Sequence, residues 1–190
     1  FINVLDILTA AGVYPALIHF SNSAVAFAIP KAHFSMLRIG TAFLGMKPFY
    51  YAPMPAGLKR SIQWKSYLAS CKLFPTGHPI GYGATYITLK DEWIGVVPVG
   101  YADGYRRSNS NRVLIDGKSV PVVGRISCDS LMVRLPKQYF QGEEVLLLGE
   151  SGQAHIWVEE LANIWGTSQA ETIALISDRV PRKYKKTANL

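Results

Sequence analysis

The sequence has few cysteines and no long apolar run. Only Cys71 and Cys128 occur among the 190 residues, and neither belongs to a CxxC pair or to a histidine cluster. This excludes a disulfide framework and a cysteine-based metal site. No apolar stretch approaches the roughly 18 residues of a membrane-spanning helix. The composition therefore predicts a globular protein with no metal ion and no membrane segment, in a reducing compartment such as the cytoplasm.

Basic residues outnumber acidic residues, 20 to 13, which gives a formal charge of +7. Such a charge is compatible with nucleic acid, an anionic membrane or acidic small molecules as partners. The basic residues are scattered, however, and the densest cluster stands at the end of the chain: Arg179, Arg182, Lys183, Lys185 and Lys186. A solvated tail is favoured over a nucleic-acid surface there, and no nucleic-acid partner is expected.

The first part of the chain alternates between helical and strand patterns. Apolar residues recur at helical spacing over residues 2–11, and Gly12 follows as a helix C-cap. Residues 16–20 and 36–39 are predicted to form short buried strands, with a loop and a helix between them. This alternation is typical of βα units that belong to a larger α/β structure. The linker rich in proline and glycine that follows predicts a domain boundary near residue 58.

Beyond residue 58 the pattern is mostly that of strands. Alternation over residues 62–73 has one slip, which predicts a β-bulge. Further strands are predicted at 85–89, 93–97, 112–115, 119–123, 131–135 and 145–148. Asp116-Gly117 predicts a hairpin turn, because both positions need positive φ. So many short strands favour a barrel or a sandwich.

Two helices are predicted near the end of the chain. Residues 157–165 are amphipathic and stop at Gly166. Ser168 and Glu171 have the spacing of a capping box, which predicts a second helix reaching about Ser177.

Three polar segments framed by glycines are the strongest chemical signal. They are Gly81-Tyr82-Gly83, residues 100–104 and residues 124–129. Glycines beside a tyrosine free the backbone to present the side chain at an unusual angle. Each segment alone is more often a turn beside a packing tyrosine. The three together favour a functional site.

The first part of the chain contains candidate anion ligands. Ser23 precedes a predicted helix and Gly40-Thr41 follow a predicted strand, and both settings can direct backbone N–H groups at a phosphate. The alternative for Ser23 is an ordinary helix N-cap. Arg38 lies in an apolar strand and needs an acceptor if it is buried. His19 is by default a core histidine with satisfied hydrogen bonds.

Six segments taken in order resemble the C-terminal half of alanine racemases. They are HFSNSA (19–24), LRIGTAFLG (37–45), IGYGATY (80–86), VPVGYADGY (97–105), VPVVGRISCD (120–129) and RVPRKY (179–184). The resemblance covers nearly the whole chain. It implies a mostly β C-terminal domain, barrel-like or sandwich-like, at residues 59–190. It also implies that residues 1–58 are the last βα units of a (β/α)8 barrel of the TIM type.

The resemblance further implies a pyridoxal 5'-phosphate-dependent isomerase that interconverts L- and D-alanine. Such an enzyme is a cytoplasmic homodimer whose active site is shared between subunits, and it supplies D-alanine for peptidoglycan. Racemisation requires two bases on opposite faces of the α-carbon, and Tyr82 matches one of them. Residues matching the cofactor ligands are Arg38 at the pyridine nitrogen, His19 supporting it, and Ser23, Gly40 and Thr41 at the phosphate.

On the substrate side, the Cys128 backbone N–H matches the group that binds the substrate carboxylate. The residues matching the entrance to the site are Tyr101, Arg107, Arg125 and Asp129. Cys128 stands where many members have methionine, and Asp178 stands where well-studied members have a tyrosine. Because the resemblance places Asp178 where that tyrosine contacts the phosphate, Asp178 is expected to turn away, to pair with an arginine such as Arg179, or to take up a proton.

Several alternatives stay open. The segment with the lysine that holds the cofactor, with a motif like VKANAYGHG, is absent from residues 1–190, so this chain alone is expected to be inactive. The polar Asp178 makes a serine racemase or a racemase of broad specificity an alternative. A decarboxylase of the same build is a weaker rival. A different class of protein is an inactive fragment that acts only as a dimerisation or binding module.

Overall fold

The computed structural model describes residues 1–49 and 53–185, so Lys186 of the basic tail lies outside the described residues. By its internal contacts the chain divides into two compact units, Phe1–Ser61 and Ile62–Leu190. Among the described residues no helix is long and apolar enough to cross a membrane. The assignment of residues 1–58 to a (β/α)8 barrel stays a prediction.

The first unit contains two short helices. Helix α1 spans Ile2–Ala10, as the apolar spacing predicts. It ends where Gly12 has a φ of +72° and the Val13 N–H donates to the Leu8 carbonyl at 2.8 Å, which is the C-terminal cap expected of glycine. Helix α2 spans Ser23–Ala28. Two 3-10 turns follow, at Pro30–Ala32 and Thr41–Leu44.

The two strands predicted in the first unit do not form a ladder. A single parallel bridge joins His19 to Met36. Beside it the Ser35 hydroxyl accepts from the Ile18 N–H at 2.7 Å and donates to the Ile18 carbonyl at 3.0 Å. A serine side chain that bonds the backbone in this way competes with strand pairing. The prediction of strands at 16–20 and 36–39 is therefore wrong, although the bridge has the parallel direction of a βα structure.

The second unit is mostly antiparallel sheet. Its strands are β1 Trp64–Tyr67, β2 Ser70–Phe74, β3 Pro79–Ile80, β4 Tyr86–Ile87, β5 Glu92–Val97, β6 Arg112–Ile115, β7 Lys118–Val123, β8 Leu131–Leu135, β9 Glu144–Ser151 and β10 Ala154–Ile156. The strands predicted between residues 93 and 148 are confirmed. The strand predicted at 85–89 is only β4, and β3 and β10 were not predicted from the sequence.

The main sheet closes on itself. Its strand order is β1-β9-β6-β7-β8-β5-β2, so consecutive strands β1 and β2 form its two ends. Between them the Leu68 N–H donates to Glu143 at 2.9 Å and the Ala69 N–H donates to Val96 at 2.8 Å. Residues 64–74 therefore form both ends of the sheet and pair with β9 on one side and β5 on the other, which is the closure of a barrel rather than a sandwich. The register shift between Trp64 and Lys65 is the predicted bulge.

Two helices follow the sheet. Helix α3 spans Val158–Trp165 and ends at Gly166 in the left-handed conformation. Helix α4 spans Gln169–Ala174, and the Ser168 hydroxyl accepts from the Glu171 N–H at 3.1 Å, which confirms the Ser168 half of the predicted capping box. The Glu171 carboxylate instead accepts from the Thr167 hydroxyl. The helix stops short of the predicted end at Ser177.

Tyr105 is fully buried beneath these helices. Its ring packs edge-on against Trp64 and Trp165, with centroids 5.7 and 5.4 Å away. Its hydroxyl donates to the Arg112 carbonyl at 3.1 Å. A buried hydroxyl with a partner is stable in the core, whereas a buried phenolate is strongly disfavoured.

We expect Tyr105→Phe to change how stability responds to alkaline pH. Burial raises the pKa of Tyr105 far above its ordinary value, so the folded chain keeps a proton that the unfolded chain releases above about pH 10. The stabilisation is fully present below that pH and is lost as pH rises further. Urea titrations from about pH 8 to pH 11 should show a falling free energy of unfolding, and Tyr105→Phe should reduce that fall.

Tyr184→Phe is the matched control, because Tyr184 is exposed and lies outside the core. It should leave the alkaline decline unchanged. At neutral pH Tyr105→Phe itself should cost about 1 kcal/mol, the typical value of one hydrogen bond. An equally steep alkaline decline in Tyr105→Phe would assign that decline to other groups.

Candidate functional site

In the first unit the Ser23 hydroxyl joins two separate segments. Its oxygen accepts from the Gly40 N–H at 3.0 Å and from the Ala42 N–H at 3.3 Å, and the side chain is buried. Asn22, not Ser23, caps helix α2, since its side chain accepts from the Val25 N–H at 3.0 Å. The helix-cap interpretation of Ser23 is therefore wrong.

Ser23, Gly40 and Thr41 thus lie together, as their proposed common role requires. The Ser23 oxygen already accepts two hydrogen bonds. Among the described residues, neither the Ser23 hydroxyl hydrogen nor the Thr41 N–H is donated to a protein acceptor. Thr41 begins the 3-10 turn Thr41–Leu44, and its carbonyl accepts from the Met46 N–H at 3.0 Å. A hydroxyl and a backbone N–H of this kind are donors that suit a phosphate, which offers only acceptor oxygens near neutral pH.

His19 and Arg38 lie on the two segments that the bridge connects. His19 pairs with Met36, and the Arg38 N–H donates to the Ser21 carbonyl at 3.0 Å. Both side chains are exposed. The core-histidine interpretation of His19 is therefore wrong, and the Arg38 guanidinium needs no buried acceptor. Both groups are accessible to a ligand.

In the second unit Tyr82 stands on a 3-10 turn, Tyr82–Ala84, between β3 and β4. Its side chain is 71% exposed. Gly81 and Gly83 have φ values of +74° and +71°, and Ala84 has +47°. These left-handed values explain the glycines on both sides of the tyrosine, since other residues are strained there. The turn presents the phenol to solvent.

The Tyr82 turn packs on the segment that begins at Gly124. A Cβ atom at Gly81 would lie 3.2 Å from the Arg125 nitrogen, and one at Gly124 would lie 2.9 Å from the Ile80 carbonyl oxygen. Side chains at either glycine would push the two segments apart. The glycine framing seen in the sequence thus has a second cause besides φ, which is close backbone approach.

A hydrogen-bonded network around the buried Glu92 carboxylate lies next to the turn and supports β4. The Tyr86 hydroxyl donates to Glu92 Oε2 at 2.5 Å, and Arg134 Nη1 donates to the Tyr86 oxygen at 3.3 Å. Burial raises the pKa of Tyr86, and the hydrogen bond to Glu92 raises it further. Glu92 was missed from the sequence. Its only signal is an acidic residue at the start of an otherwise apolar strand.

The loop at residues 100–104 lies against the Cys128 backbone. The Tyr101 N–H donates to Ser127 at 3.1 Å and the Ala102 N–H donates to Cys128 at 2.9 Å. A Cβ atom at Gly100 would lie 2.3 Å from the Cys128 carbonyl oxygen, so only glycine fits. Tyr101, Cys128 and Asp129 are thereby brought together. Cys128 and Asp129 are exposed, and among the described residues no acceptor is recorded for the Cys128 N–H.

Arg107 fixes the Tyr101 ring. Its Nε donates to the Ile126 carbonyl at 2.9 Å, and its guanidinium carbon lies 4.6 Å from the ring centroid. This is a cation–π geometry. Residues 124–129 therefore contact both tyrosine-bearing loops, and the predicted substrate-side residues of the second unit form one surface.

Asp103 is a further site residue that the sequence did not single out. Its side chain is 11% exposed, and Oδ1 lies 3.5 Å from Arg179 Nε. Arg179 thus pairs with Asp103, and among the described residues no ion pair joins it to Asp178, so pairing with Arg179 is not the alternative that the structure shows for Asp178. Asp178 is exposed. The only sequence signal for Asp103 was its position three residues after Gly100, where a carboxylate can reach back to the backbone.

Comparison with known proteins gives the family. The family described as "Alanine racemase, C-terminal domain" matches residues 61–184. The alanine racemase of Symbiobacterium thermophilum is 44% identical over 181 residues, which cover 93% of this chain and 48% of that protein. The alanine racemase of Streptococcus thermophilus is 40% identical over 186 residues, which cover 97% of this chain and 50% of that protein.

Solved structures agree. The crystal structure of Bacillus anthracis alanine racemase with bound L-Ala-P superposes with a TM-score of 0.93 at 36% identity, over 98% of this chain and 49% of that one. The alanine racemase of E. faecalis gives a TM-score of 0.87 at 35% identity, over 94% of this chain and 50% of that one. The chain thus spans about half the length of the relatives that it matches. With a family match across residues 61–184, the chain belongs to the alanine racemase family.

Proposed function

We propose that this chain is the C-terminal portion of a pyridoxal 5'-phosphate-dependent racemase that interconverts L- and D-alanine. The observation that carries the proposal is the Tyr82 turn. It presents an exposed phenol from a backbone fixed by two glycines and packed on residues 124–129. A catalytic base must be accessible to its substrate and must be held by a rigid backbone. The Tyr82 turn combines an exposed phenol with such a backbone.

Tyr82 acts as one of two bases. Each base removes the α-proton from one face of the amino acid or returns a proton to that face. The second base is the lysine that also holds the cofactor, and none of the lysines in residues 1–190 has the matching sequence context. This chain therefore works only with an N-terminal half like that of its relatives. By itself it does not racemise an amino acid.

The first unit holds part of the cofactor. Pyridoxal 5'-phosphate, when bound, supplies an electron-withdrawing ring that acidifies the α-proton. The Ser23 hydroxyl and the backbone of Gly40 and Thr41 would bind its phosphate, with the Gly40 N–H also donating to the Ser23 oxygen. Arg38 would donate to the pyridine nitrogen and keep that nitrogen unprotonated. His19 supports Arg38.

The second unit holds the substrate. The Cys128 N–H donates to the substrate carboxylate, and its exposure and lack of a recorded acceptor among the described residues support this role. Tyr101, Asp129, Arg107 and Arg125 line the entrance. The fixed Tyr101 ring narrows that entrance without the entropy cost of ordering it on binding.

The complete protein is proposed to be a cytoplasmic homodimer. Residues 1–58 are the last βα units of its (β/α)8 barrel, and Tyr82 of one subunit serves the cofactor of the other. The product D-alanine supplies peptidoglycan. The high exposure of Tyr82 within its own unit supports action on a site to which other parts of the protein contribute.

Asp178 favours a second candidate function, racemisation of serine or of several amino acids. The carboxylate is exposed and does not pair with Arg179, which bonds Asp103 instead. A free carboxylate near the substrate can accept a hydrogen bond from a hydroxylated side chain. The other alternative, a module that only dimerises or binds a partner, predicts no turnover of either amino acid.

The test is to combine the chain with the matching N-terminal half and pyridoxal 5'-phosphate. Conversion of L-alanine to D-alanine, followed by chiral chromatography, should require both halves. L-Serine as a parallel substrate measures the second candidate function. A folded, cofactor-loaded complex that converts neither amino acid would support the binding module and contradict the racemase.

A further inference from the structure

Asp103 connects three segments of the second unit. Its Oδ2 accepts from the Gly100 N–H at 2.8 Å, within its own loop. Its carbonyl accepts from the Ser177 N–H at 3.0 Å, and its Oδ1 lies 3.5 Å from Arg179 Nε. Asp103 therefore contacts both residues that flank Asp178, which are Ser177 and Arg179.

The chain around residue 178 is held from other directions as well. Arg182 donates to the carbonyls of Ile176, Ser177 and Val180 at 2.7, 3.1 and 2.6 Å. These bonds fix the turn from 176 to 180 while the Asp178 side chain stays exposed. A rigid backbone with a free side chain is the arrangement expected where a side chain meets a ligand.

The loop that holds residue 178 also holds the substrate side of the candidate site. Tyr101 and Ala102 donate their N–H groups to Ser127 and Cys128, while Asp103 holds the C-terminal turn. Five residues, 100–104, thus link the proposed carboxylate-binding N–H of Cys128 to the Asp178 carboxylate. A change in the hydrogen bonds or the ion pair of Asp103 would therefore move the Asp178 carboxylate relative to the Cys128 N–H.

We propose that Asp103 and Arg179 are positioning residues that set the selectivity of the site between aliphatic and hydroxylated amino acids. They act by fixing the Asp178 carboxylate relative to the Cys128 N–H. This inference rests on the proposed function. Alanine and serine differ by one hydroxyl, and a site discriminates such a pair well only when its hydrogen-bonding partner is held in place.

A structural role alone does not explain this pair. Arg179 is 54% exposed and Asp103 is 11% exposed, so solvent screens the pair on the arginine side only. Asp103 keeps the Gly100 N–H as a partner when the Arg179 charge is removed, and the loss of stability should stay near about 1 kcal/mol. The thermal midpoint should therefore fall by only a few degrees. The ratio of the kcat/KM values for alanine and serine is a readout that a small stability change does not move.

The test uses the full-length protein, meaning this chain preceded by its N-terminal half. We expect Arg179→Gln and Asp103→Asn to change the alanine-to-serine ratio by about fivefold or more, with Arg179→Lys restoring part of it. Asp103→Asn keeps an acceptor for the Gly100 N–H and removes the charge and the acceptor that face Arg179. In an Asp178→Ala background, Arg179→Gln should no longer change the ratio.

Arg106→Gln is the matched control. Arg106 likewise forms an ion pair with this part of the chain, to Glu171 of helix α4 at 3.9 Å, but among the described residues no hydrogen bond or ion pair joins it to residues 177–179. It should leave the ratio unchanged. A ratio within about twofold of the starting value in Arg179→Gln, or a shift that persists without Asp178, overturns the inference.

Amide hydrogen exchange tests the positioning without any turnover. Arg179→Gln should speed exchange at the Ser177 N–H by about tenfold, and Arg106→Gln should not. Unchanged exchange at Ser177 in Arg179→Gln contradicts the inference even if the protein racemises alanine. If exchange at the Ser177 N–H is faster in Arg179→Gln but the protein converts no amino acid, the proposed function is contradicted, while the role of Arg179 in positioning this turn still holds.

Discussion

Gly104→Ala is expected to destabilise the second unit by about 2 to 5 kcal/mol, enough to unfold a marginal domain at moderate temperature. Gly104 has a φ of +98°, and a Cβ atom there would lie 2.1 Å from the Leu175 carbonyl oxygen. The left-handed backbone costs an alanine about 1 to 2 kcal/mol. The collision adds about 1 to 3 kcal/mol, since neither backbone segment can move away cheaply.

Gly142→Ala separates the two causes. Gly142 has nearly the same φ, +93°, but nothing lies within 4 Å of a Cβ atom placed there. It should therefore lose only the backbone contribution of about 1 to 2 kcal/mol. Urea unfolding of both variants measures the difference. Equal losses would mean that the contact between the loop and Leu175 contributes nothing beyond φ.

The same contact links stability to the site. Gly104 ends the loop that carries Tyr101 and Asp103, and Leu175 follows helix α4 directly. An alanine at position 104 that pushes the loop away from Leu175 would also weaken the hydrogen bond from the Ser177 N–H to the Asp103 carbonyl. Gly104→Ala should thus lower activity at temperatures where the protein is still folded, whereas Gly142→Ala should not.

The parts of the fold that the sequence predicted depend on local physics. Asp116 and Gly117 have φ values of +51° and +68°, and Ile115 pairs with Lys118 across the turn. Two residues determine that hairpin. Ser168 likewise caps α4 through an atom three residues away. Such signals are complete within a few residues, so they can be recognised without the structure.

Long-range pairing was not predictable in the same way. Nothing in residues 64–74 indicates that one stretch meets both β9 and β5, because the partners lie far along the chain. The strand predictions at 16–20 and 36–39 failed because the pairing of the two segments is a single bridge among the described residues. Next to that bridge the Ser35 hydroxyl bonds both backbone groups of Ile18, whose carbonyl also accepts from the Ser35 N–H. Hydrophobic pattern does not report such competition.

The candidate site falls between these cases. The glycines around Tyr82 and Tyr101 indicated unusual backbone, and their φ values or close contacts confirm it. The resemblance to alanine racemases supplied the roles. Neither revealed Glu92 or Asp103, whose partners Tyr86 and Arg179 are visible only once the chain is folded. Buried carboxylates are therefore the residues for which the structure adds most.

Tyr82→Phe is expected to lower racemisation of alanine by about 10² to 10⁴, the usual contribution of a positioned acid or base. The variant keeps the ring, the turn and its packing, so the free energy of unfolding should change by less than about 0.5 kcal/mol. Both directions must slow equally, since the reverse reaction follows the same proton path. Tyr67→Phe, which alters an exposed tyrosine on β1, is the matched control and should retain full activity.

Exchange of the α-proton with deuterium oxide separates a lost base from a damaged site. With the phenol gone, the remaining base still exchanges the proton on its own face, so one enantiomer should incorporate deuterium without inversion. A site that had simply lost its substrate would lose exchange of both enantiomers together. Racemisation that proceeds at the normal rate in Tyr82→Phe would remove Tyr82 from the mechanism, whatever its exposure on the turn.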